Sequence, residues 1–393
     1  MYVNFCIGKL WFCIVLSVDE KTYFLYTELN NIKGVFFMKK LRIGIVGYGG
    51  ISQGVHVPGY LACPDKAEIT ALCDINPEKL KLAKEKLNLS DSALFTDYKE
   101  MIKSGLIDAI DICTPNHMHC PIASAAIDAG LPFSTEKPMG LSYAEAKALY
   151  DKAESAKSKS FICFSWRYRP YTRYVRDIIK SGEIGKIYHI YISYIKDSGL
   201  WEGRKLEWRF DKDRAGTGVL GDLGSHMIDI ARFWGEEFKG VFAQTGTYIT
   251  ERPTEDTGEI KKVTTDDWCN ITGMTESDIP VTISLSRTAT GYDDRITFEV
   301  FGENGRLRYS WIAGKQDIEI CTGKEDVKSR TVRHLVPPAG YEANQSLYFV
   351  NMINGIEDEF TAHLEHGIAC QKVLEAAEKS AKEGRYVTID EIR

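Results

Sequence analysis

The sequence predicts an α/β protein of two folded domains. The first is an N-terminal doubly wound parallel sheet, the second an α/β domain built on a large, mostly antiparallel open sheet. Three observations predict this. A short apolar strand, Leu41 to Val46, runs into a glycine-rich turn and then a helix. From there to about Phe161, strands alternate with helical patterns, as βαβ units require. Beyond Phe161, long aromatic strands follow one another with glycines between them and no helices, which is the pattern of an antiparallel sheet.

The glycine turn comes first. Gly47-Tyr48-Gly49-Gly50-Ile51-Ser52 fits the fingerprint G-x-G-x-x-G/A with Ser in the last place. Gly47 permits the tight turn, Gly49 lets a pyrophosphate approach the backbone, and a small residue at Ser52 lets the helix pack close on the strand. Free N–H groups at that helix start would hold the phosphates. A second strand, Glu68 to Cys73, ends at Asp74, 22 positions beyond Ser52 and close to the ~20 expected for the ribose-binding acid. An acid there accepts hydrogen bonds from the ribose hydroxyls and repels a 2′-phosphate. The turn therefore reads as a Rossmann dinucleotide site that favours NAD over NADP.

The remaining elements follow in order. Pro77 opens a Lys- and Glu-rich helix to about Leu87. Ala93 to Thr96 is a short strand, Tyr98 to Lys103 a brief helix, and Ile107 to Cys113 the fourth strand. Met118 to Ala129 is a helix, Leu131 to Thr135 the fifth strand, and Tyr143 to Ser155 an amphipathic helix. Phe161 to Tyr168 reads as one more strand, followed by a helix from Pro170 to Lys180. Long strands are expected at Ile187 to Ile195, Val241 to Thr250, Trp268 to Met274, Val281 to Arg287, Arg295 to Phe301 and Arg306 to Trp311. Helices over Asn344 to Glu359 and Leu364 to Lys382 close the chain. The domain division is 38–162 and 163–393.

Residues 1 to 37 read as an upstream extension, from an over-long start, with a hairpin around Val18 to Thr22. Trp11 to Leu16 is too short to span a bilayer, and no small-residue cleavage site follows it. The 393 residues, 44% hydrophobic and 26% charged, describe an ordinary soluble protein. A net charge of -6 argues against a general nucleic-acid binder. Ten cysteines without a C-x-x-C pair suit a reducing cytosol. No membrane partner is expected. A large one-sided sheet needs a cover on its second face, which motivates a homodimer or homotetramer.

Three constellations carry the chemistry. Ser134-Thr135-Glu136-Lys137-Pro138-Met139 ends the fifth strand, where ligands bind in an open α/β sheet. A lysine there can polarise a substrate oxygen. In the run Ala215 to Asp229 a helix is expected from Asp222 to Trp234, with Asp222, His226 and Asp229 at i, i+4 and i+7 on one face. A carboxylate one turn from an imidazole can hold its tautomer, leaving His226 as a general base. The plainer reading makes Asp222 a helix cap and His226 a packed residue. Third, Thr114-Pro115-Asn116-His117-Met118-His119 follows the fourth strand. His117 and His119 alone complete no metal site, and none is expected. Trp166 and Arg167 lie at the domain junction, and Trp201, Trp208, Arg209 and Tyr292 are candidates to shape the substrate pocket.

The ordered set GYGGIS, Asp74, TPNHMH, EKP, WRYRP and GDLGSH resembles the glucose–fructose oxidoreductase/inositol dehydrogenase/rhizopine-catabolism (Gfo/Idh/MocA) family from Met38 onward. The resemblance implies an NAD(P)-dependent oxidoreductase with Lys137, Asp222 and His226 as catalytic residues. It implies cofactor contacts from Gly47, Tyr48, Gly49, Gly50, Ile51, Asp74, Thr114, Pro115, Asn116, His119, Glu136, Lys137 and Arg167. Trp166, Trp208, Arg209 and Tyr292 would face the substrate, a cyclic polyol or sugar of inositol or glucose type losing hydride from a secondary carbinol. Two other readings stand beside it: an NAD-dependent glycoside hydrolase of the same fold, and a non-catalytic dinucleotide- or sugar-binding regulator. The chain departs from the family's N-x-R-x-x-P segment, with Ser165 for Asn and Arg169 before the proline.

Overall fold

A computed structural model describes residues 40–393 except 236, together with the backbone of three strands nearer the N-terminus. Those strands, β1 (Tyr2–Ile7), β2 (Leu10–Leu16) and β3 (Tyr23–Thr27), pair antiparallel and belong to a separate compact unit, Met1–Lys39. β2 and β3 flank the expected hairpin turn, whose residues 17–22 lie outside the described ones.

Lys40–Arg393 forms the second unit. Its first sheet has six strands: β4 (Leu41–Val46), β5 (Ala67–Cys73), β6 (Leu94–Phe95), β7 (Ala109–Ile112), β8 (Phe133–Thr135) and β9 (Ser160–Ile162). Every pair is parallel, in the order β6-β5-β4-β7-β8-β9. The winding reverses between β4 and β7, so a crevice opens at their carboxyl ends. The expected strand from Phe161 to Tyr168 stops at Ile162. Ser165–Tyr168 is a 3-10 turn that tucks Trp166, Arg167 and Tyr168 into the interior. An apolar run too short for its period to be read fits either form.

The second sheet has nine strands: β10 (Ile187–Ile195), β11 (Phe238–Gly246), β14 (Trp268–Thr275), β15 (Pro280–Ser286), β16 (Arg295–Gly302), β17 (Gly305–Ile312), β18 (Lys315–Thr322), β19 (Arg333–Leu335) and β20 (Val387–Thr388). A small hairpin, β12 (Glu251–Pro253) with β13 (Ile260–Lys262), lies outside it. The order is β19-β18-β17-β16-β10-β15-β14-β11-β20, antiparallel except for the central β10–β15 pair. Period-2 alternation buries Val281, Ile283 and Leu285 of β15 and Ile296, Phe298 and Val300 of β16 under the helix Gly224–Trp234. The C-terminal helices return to the first sheet. Gln345–Ile353 buries Phe349, Val350 and Met352 with Ile43 and Ile45, and the Ile162 N–H bonds the Ala362 carbonyl at 2.9 Å.

Candidate active site

The cofactor crevice is built by backbone geometry. Gly47 has φ +93, and a Cβ there would lie 2.6 Å from the Cys113 carbonyl oxygen, so only glycine fits. A Cβ on Gly49 or Gly50 would meet nothing within 4 Å, which leaves the loop open on the side a pyrophosphate would approach. Ile51 is exposed at the start of the helix. Tyr48 is buried, and its N–H donates to Asp74 Oδ2 at 2.7 Å, while Asp74 Oδ1 accepts the Asn76 N–H at 2.9 Å. Asp74 thus joins the glycine loop to the end of β5. Thr114 Oγ1 is buried beside this loop without a hydrogen-bond partner, as a group awaiting a ligand would be. Glycines, acid and orphaned hydroxyl fit a dinucleotide.

The helix after the loop contains a π segment, Ser52–His56, whose two end residues are buried. It brings His56 between β7 and the end of β8. His56 Nδ1 lies 2.8 Å from Asp111 Oδ2 and Nε2 lies 2.9 Å from Glu136 Oε1. Asp111 also accepts the Ser134 hydroxyl. Burial opposes charge on this pair, but the attraction wins: the imidazole is held well above its ordinary pKa by Asp111, and the carboxyl is held below its own by His56. Cys163 completes a buried trio whose ligand-type atoms lie within 4.8 Å. Both imidazole nitrogens are already engaged, and burial pushes the thiol well above its usual range, so the trio is an ion-paired core. The signal for it was Asp111, a carboxylate inside an apolar strand, which must have a partner.

Glu136 is therefore directed at His56 and at the Lys137 N–H, 3.2 Å away. Lys137 precedes a cis bond to Pro138. Its Nζ donates to Asp222 Oδ1 at 3.1 Å and to the Asp222 carbonyl at 2.8 Å. Asp222 reaches this place because Asp266 Oδ1 and Oδ2 accept the N–H groups of Gly218 (2.6 Å) and Leu220 (2.9 Å) and start a short helix, Val219–Asp222. A Cβ on Gly218 would fall 1.9 Å from the Asp266 carbonyl oxygen. The expected continuous helix is interrupted at Leu223, and a second helix, Gly224–Trp234, carries His226.

Two sequence-based expectations are corrected here. Among the described residues, His226 Nδ1 has no hydrogen-bond partner, so Asp222 holds Lys137 and not the imidazole. Asp229 belongs to no catalytic face: it is fully buried and takes Arg167 Nε at 2.8 Å and Nη2 at 2.6 Å. Arg167, expected at the cofactor, thereby joins the 3-10 turn to the His226 helix. Two loop residues expected beside the cofactor also serve as braces. Asn116 donates to the Ala215 carbonyl at 2.9 Å. His119 lies between the Pro138 and Thr114 carbonyls at 2.8 and 2.9 Å. Pro115 starts the 3-10 turn Asn116–Met118 between them.

Two of the candidate catalytic groups have shifted acidities. Burial and then the Lys137 charge hold His226 well below its usual pKa, against the pull of Asp222. Burial opposes ionisation of Asp222, but Lys137, Arg209 and Lys196 hold it well below the usual carboxylate range. The site thus presents a neutral imidazole and, paired with Lys137, a carboxylate. Trp166 is buried against Tyr194 and Trp311. Trp208 stacks on Arg209, whereas Tyr292 lies on an exposed loop with Arg295 over its ring.

Residues 41–164 match the oxidoreductase family profile with the NAD-binding Rossmann fold, and residues 172–308 match the GFO/IDH/MocA C-terminal domain. The chain belongs to the Gfo/Idh/MocA family. It is an NAD-dependent oxidoreductase with a parallel Rossmann sheet and a large, mostly antiparallel sheet, as the resemblance implied. It is 28% identical to a levoglucosan dehydrogenase of Pseudarthrobacter phenanthrenivorans over 79% of this chain and 84% of that one. It is also 28% identical to an inositol 2-dehydrogenase of Rhizobium meliloti, over 89% and 99%. A solved levoglucosan dehydrogenase in complex with NADH and levoglucosan superposes with a TM-score of 0.80 at 25% identity, covering 89% of this chain and all of that one. No helix among the described residues is long and apolar enough to cross a membrane.

Proposed function

We propose that this family member oxidises a secondary hydroxyl of a sugar or cyclic polyol to a ketone, using NAD. The observation that carries the proposal is the Lys137–Asp222 contact at 3.1 Å just beyond β8, with His226 one helical turn after Asp222 and close enough to feel both charges. Bound NAD supplies the hydride acceptor. The chain supplies the rest. His226, kept neutral, accepts the hydroxyl proton. The Lys137 ammonium stabilises the negative charge that grows on the substrate oxygen, and Asp222 holds the lysine in place. Asp74 favours NAD over NADP by meeting the ribose hydroxyls. Similarity to levoglucosan and inositol dehydrogenases supports a pyranose- or inositol-like substrate.

The test is absorbance at 340 nm with NAD or NADP against a panel of inositols, aldoses and nitrophenyl glycosides. NADH accumulation with one polyol or sugar is expected. Nitrophenol release without NADH would replace this reading by a glycoside hydrolase. We further propose a homodimer or homotetramer. The outer face of the large sheet carries an aromatic patch in which His189 and Tyr191 lie 4.9 and 6.1 Å from the Phe301 ring. Sedimentation showing only monomer at micromolar concentration would overturn it. Eight described cysteines are all buried and unpaired, which supports a cytoplasmic location.

A further inference from the structure

One cation near the site has no ion-pair partner among the described residues. Arg169, where the chain departs from its family's segment, lies in the angle between two indoles. Its guanidinium carbon is 4.0 Å from the Trp166 ring centre and 3.9 Å from that of Trp311. Among the described residues no carboxylate pairs with it, and its Nε is buried without a hydrogen-bond partner. Stacking on tryptophan compensates a desolvated guanidinium only in part, and its in-plane donors still need an acceptor.

Two further cations stand in these surroundings. Arg209 stacks on Trp208 at 4.3 Å and also lacks an ion-pair partner among the described residues. Lys196, just beyond β10, is 3.9 Å from Asp294, which also accepts the Tyr194 hydroxyl at 3.3 Å. Trp166, on which Arg169 stacks, packs in turn on Tyr194 of β10, so Arg169 and Lys196 flank the same strand end. The charges of Arg169 and Lys196 both act on His226, and those of Arg209 and Lys196 on Asp222. A neutral sugar needs acceptors as well as donors for its hydroxyls, whereas guanidinium and ammonium groups offer donors only. A planar fork held rigidly by two rings suits two oxygens of one anion.

We propose that the substrate is an anionic sugar or polyol whose carboxylate or phosphate is bound by Arg169 between Trp166 and Trp311. Lys196 and Arg209 raise the local concentration of that anion. This inference rests on the dehydrogenase reading above and names the substrate class for the same site.

The test uses the full chain saturated with NAD. Binding by calorimetry and NADH formation are measured for matched pairs: glucose against glucuronate, glucose against glucose 6-phosphate, and inorganic phosphate alone. One anionic member is expected to bind at least tenfold more tightly than glucose and to turn over with the higher kcat/KM. The glucuronate and phosphate arms separate the two anion sources. Arg169→Met should shrink the anionic-to-neutral ratio of affinities at least tenfold, and Arg169→Lys should fall between. Lys196→Met, at a partly exposed side chain, keeps the question open to test if the arginine variants do not fold, and should lower the same ratio. Equal affinity and turnover across the pairs, or a ratio unchanged in these variants, would overturn the proposal and leave the dehydrogenase reading intact. Anion binding that is lost in Arg169→Met, with no NADH formed from any member, would support the anion site and overturn the dehydrogenase reading instead.

Discussion

The Lys137 ammonium donates twice to Asp222, to its carboxylate at 3.1 Å and to its backbone carbonyl at 2.8 Å. The contact fixes the lysine at a residue 85 positions away. The lysine is 11% exposed and the aspartate 36%, so the pair is reachable by a substrate yet largely shielded from water. The Asp222 carboxylate is directed at the lysine and not at the imidazole of His226, whose Nδ1 has no hydrogen-bond partner.

Because Lys137 and Asp222 act as one unit, their losses should not add. Lys137→Ala and Asp222→Ala are each expected to lower kcat by about 10²–10³, within the range of a lost acid–base group. The double variant should be no worse than about tenfold below the weaker single. Steady-state kinetics on the best substrate checks this. Multiplicative losses would mean that the two side chains act independently.

The acidity of His226 fixes the expected pH profile. A general base works unprotonated. Burial and Lys137 hold its pKa well below 6.5, so the base stays competent as pH falls through 6.5. The kcat/KM of the wild type should therefore be flat from pH 7.5 to 6, where an ordinary imidazole would already lose activity. Lys137→Met removes the nearest cation, and the acidic limb should move up toward 6.5. A wild-type limb centred at 6.5 would show that burial and Lys137 do not lower the acidity of the base.

Much of this architecture was legible beforehand because its signals are local. The glycine fingerprint, the strand–helix alternation and the aromatic strands each depend on residues close in sequence, and all three lead to the observed sheets. β18 and β19 were not read, since KQDIEICT and RHL alternate too weakly to stand out. The site was legible in its residue types but not in its pairings. Asp222 and His226 have helical spacing, so the local rule joined them; the actual partner of Asp222 is a lysine brought in by the other sheet. Asp229 likewise meets Arg167 across 62 positions. His56 gave no signal of its own, because its partners, Asp111 and Glu136, come from two later strands.

The His56 network predicts a large stability effect without direct contact with substrate. His56→Leu would leave Asp111 and Glu136 buried without their shared cation. Breaking a buried pair this way costs about 3–5 kcal/mol. The native imidazole has a raised pKa, so its stabilisation is complete below the unfolded value of 6.5 and is lost as pH rises through the folded value. The gap between wild type and variant in urea midpoint should accordingly be greatest at mildly acidic to neutral pH and narrow at high pH. A gap that widens with rising pH would contradict the ionised pair.

The two glycines of the cofactor turn should fail differently, which separates folding from binding. Gly47→Ala forces a side chain into a positive φ and against the Cys113 carbonyl at 2.6 Å, and both faults act in the absence of any ligand. A loss of about 1–3 kcal/mol from the backbone conformation alone is expected, more with the clash. Gly49→Val has open space around its Cβ, so thermal unfolding of the apo-protein should match the wild type. The added branches would stand where the pyrophosphate must approach, and NAD affinity should fall at least about tenfold, the equivalent of about 1.4 kcal/mol. Differential scanning fluorimetry with and without NAD reads both effects: the Gly47 variant starts lower, while the Gly49 variant starts at the wild-type temperature and gains little from added NAD. A Gly49 variant that NAD stabilises as fully as the wild type would place the pyrophosphate away from this turn.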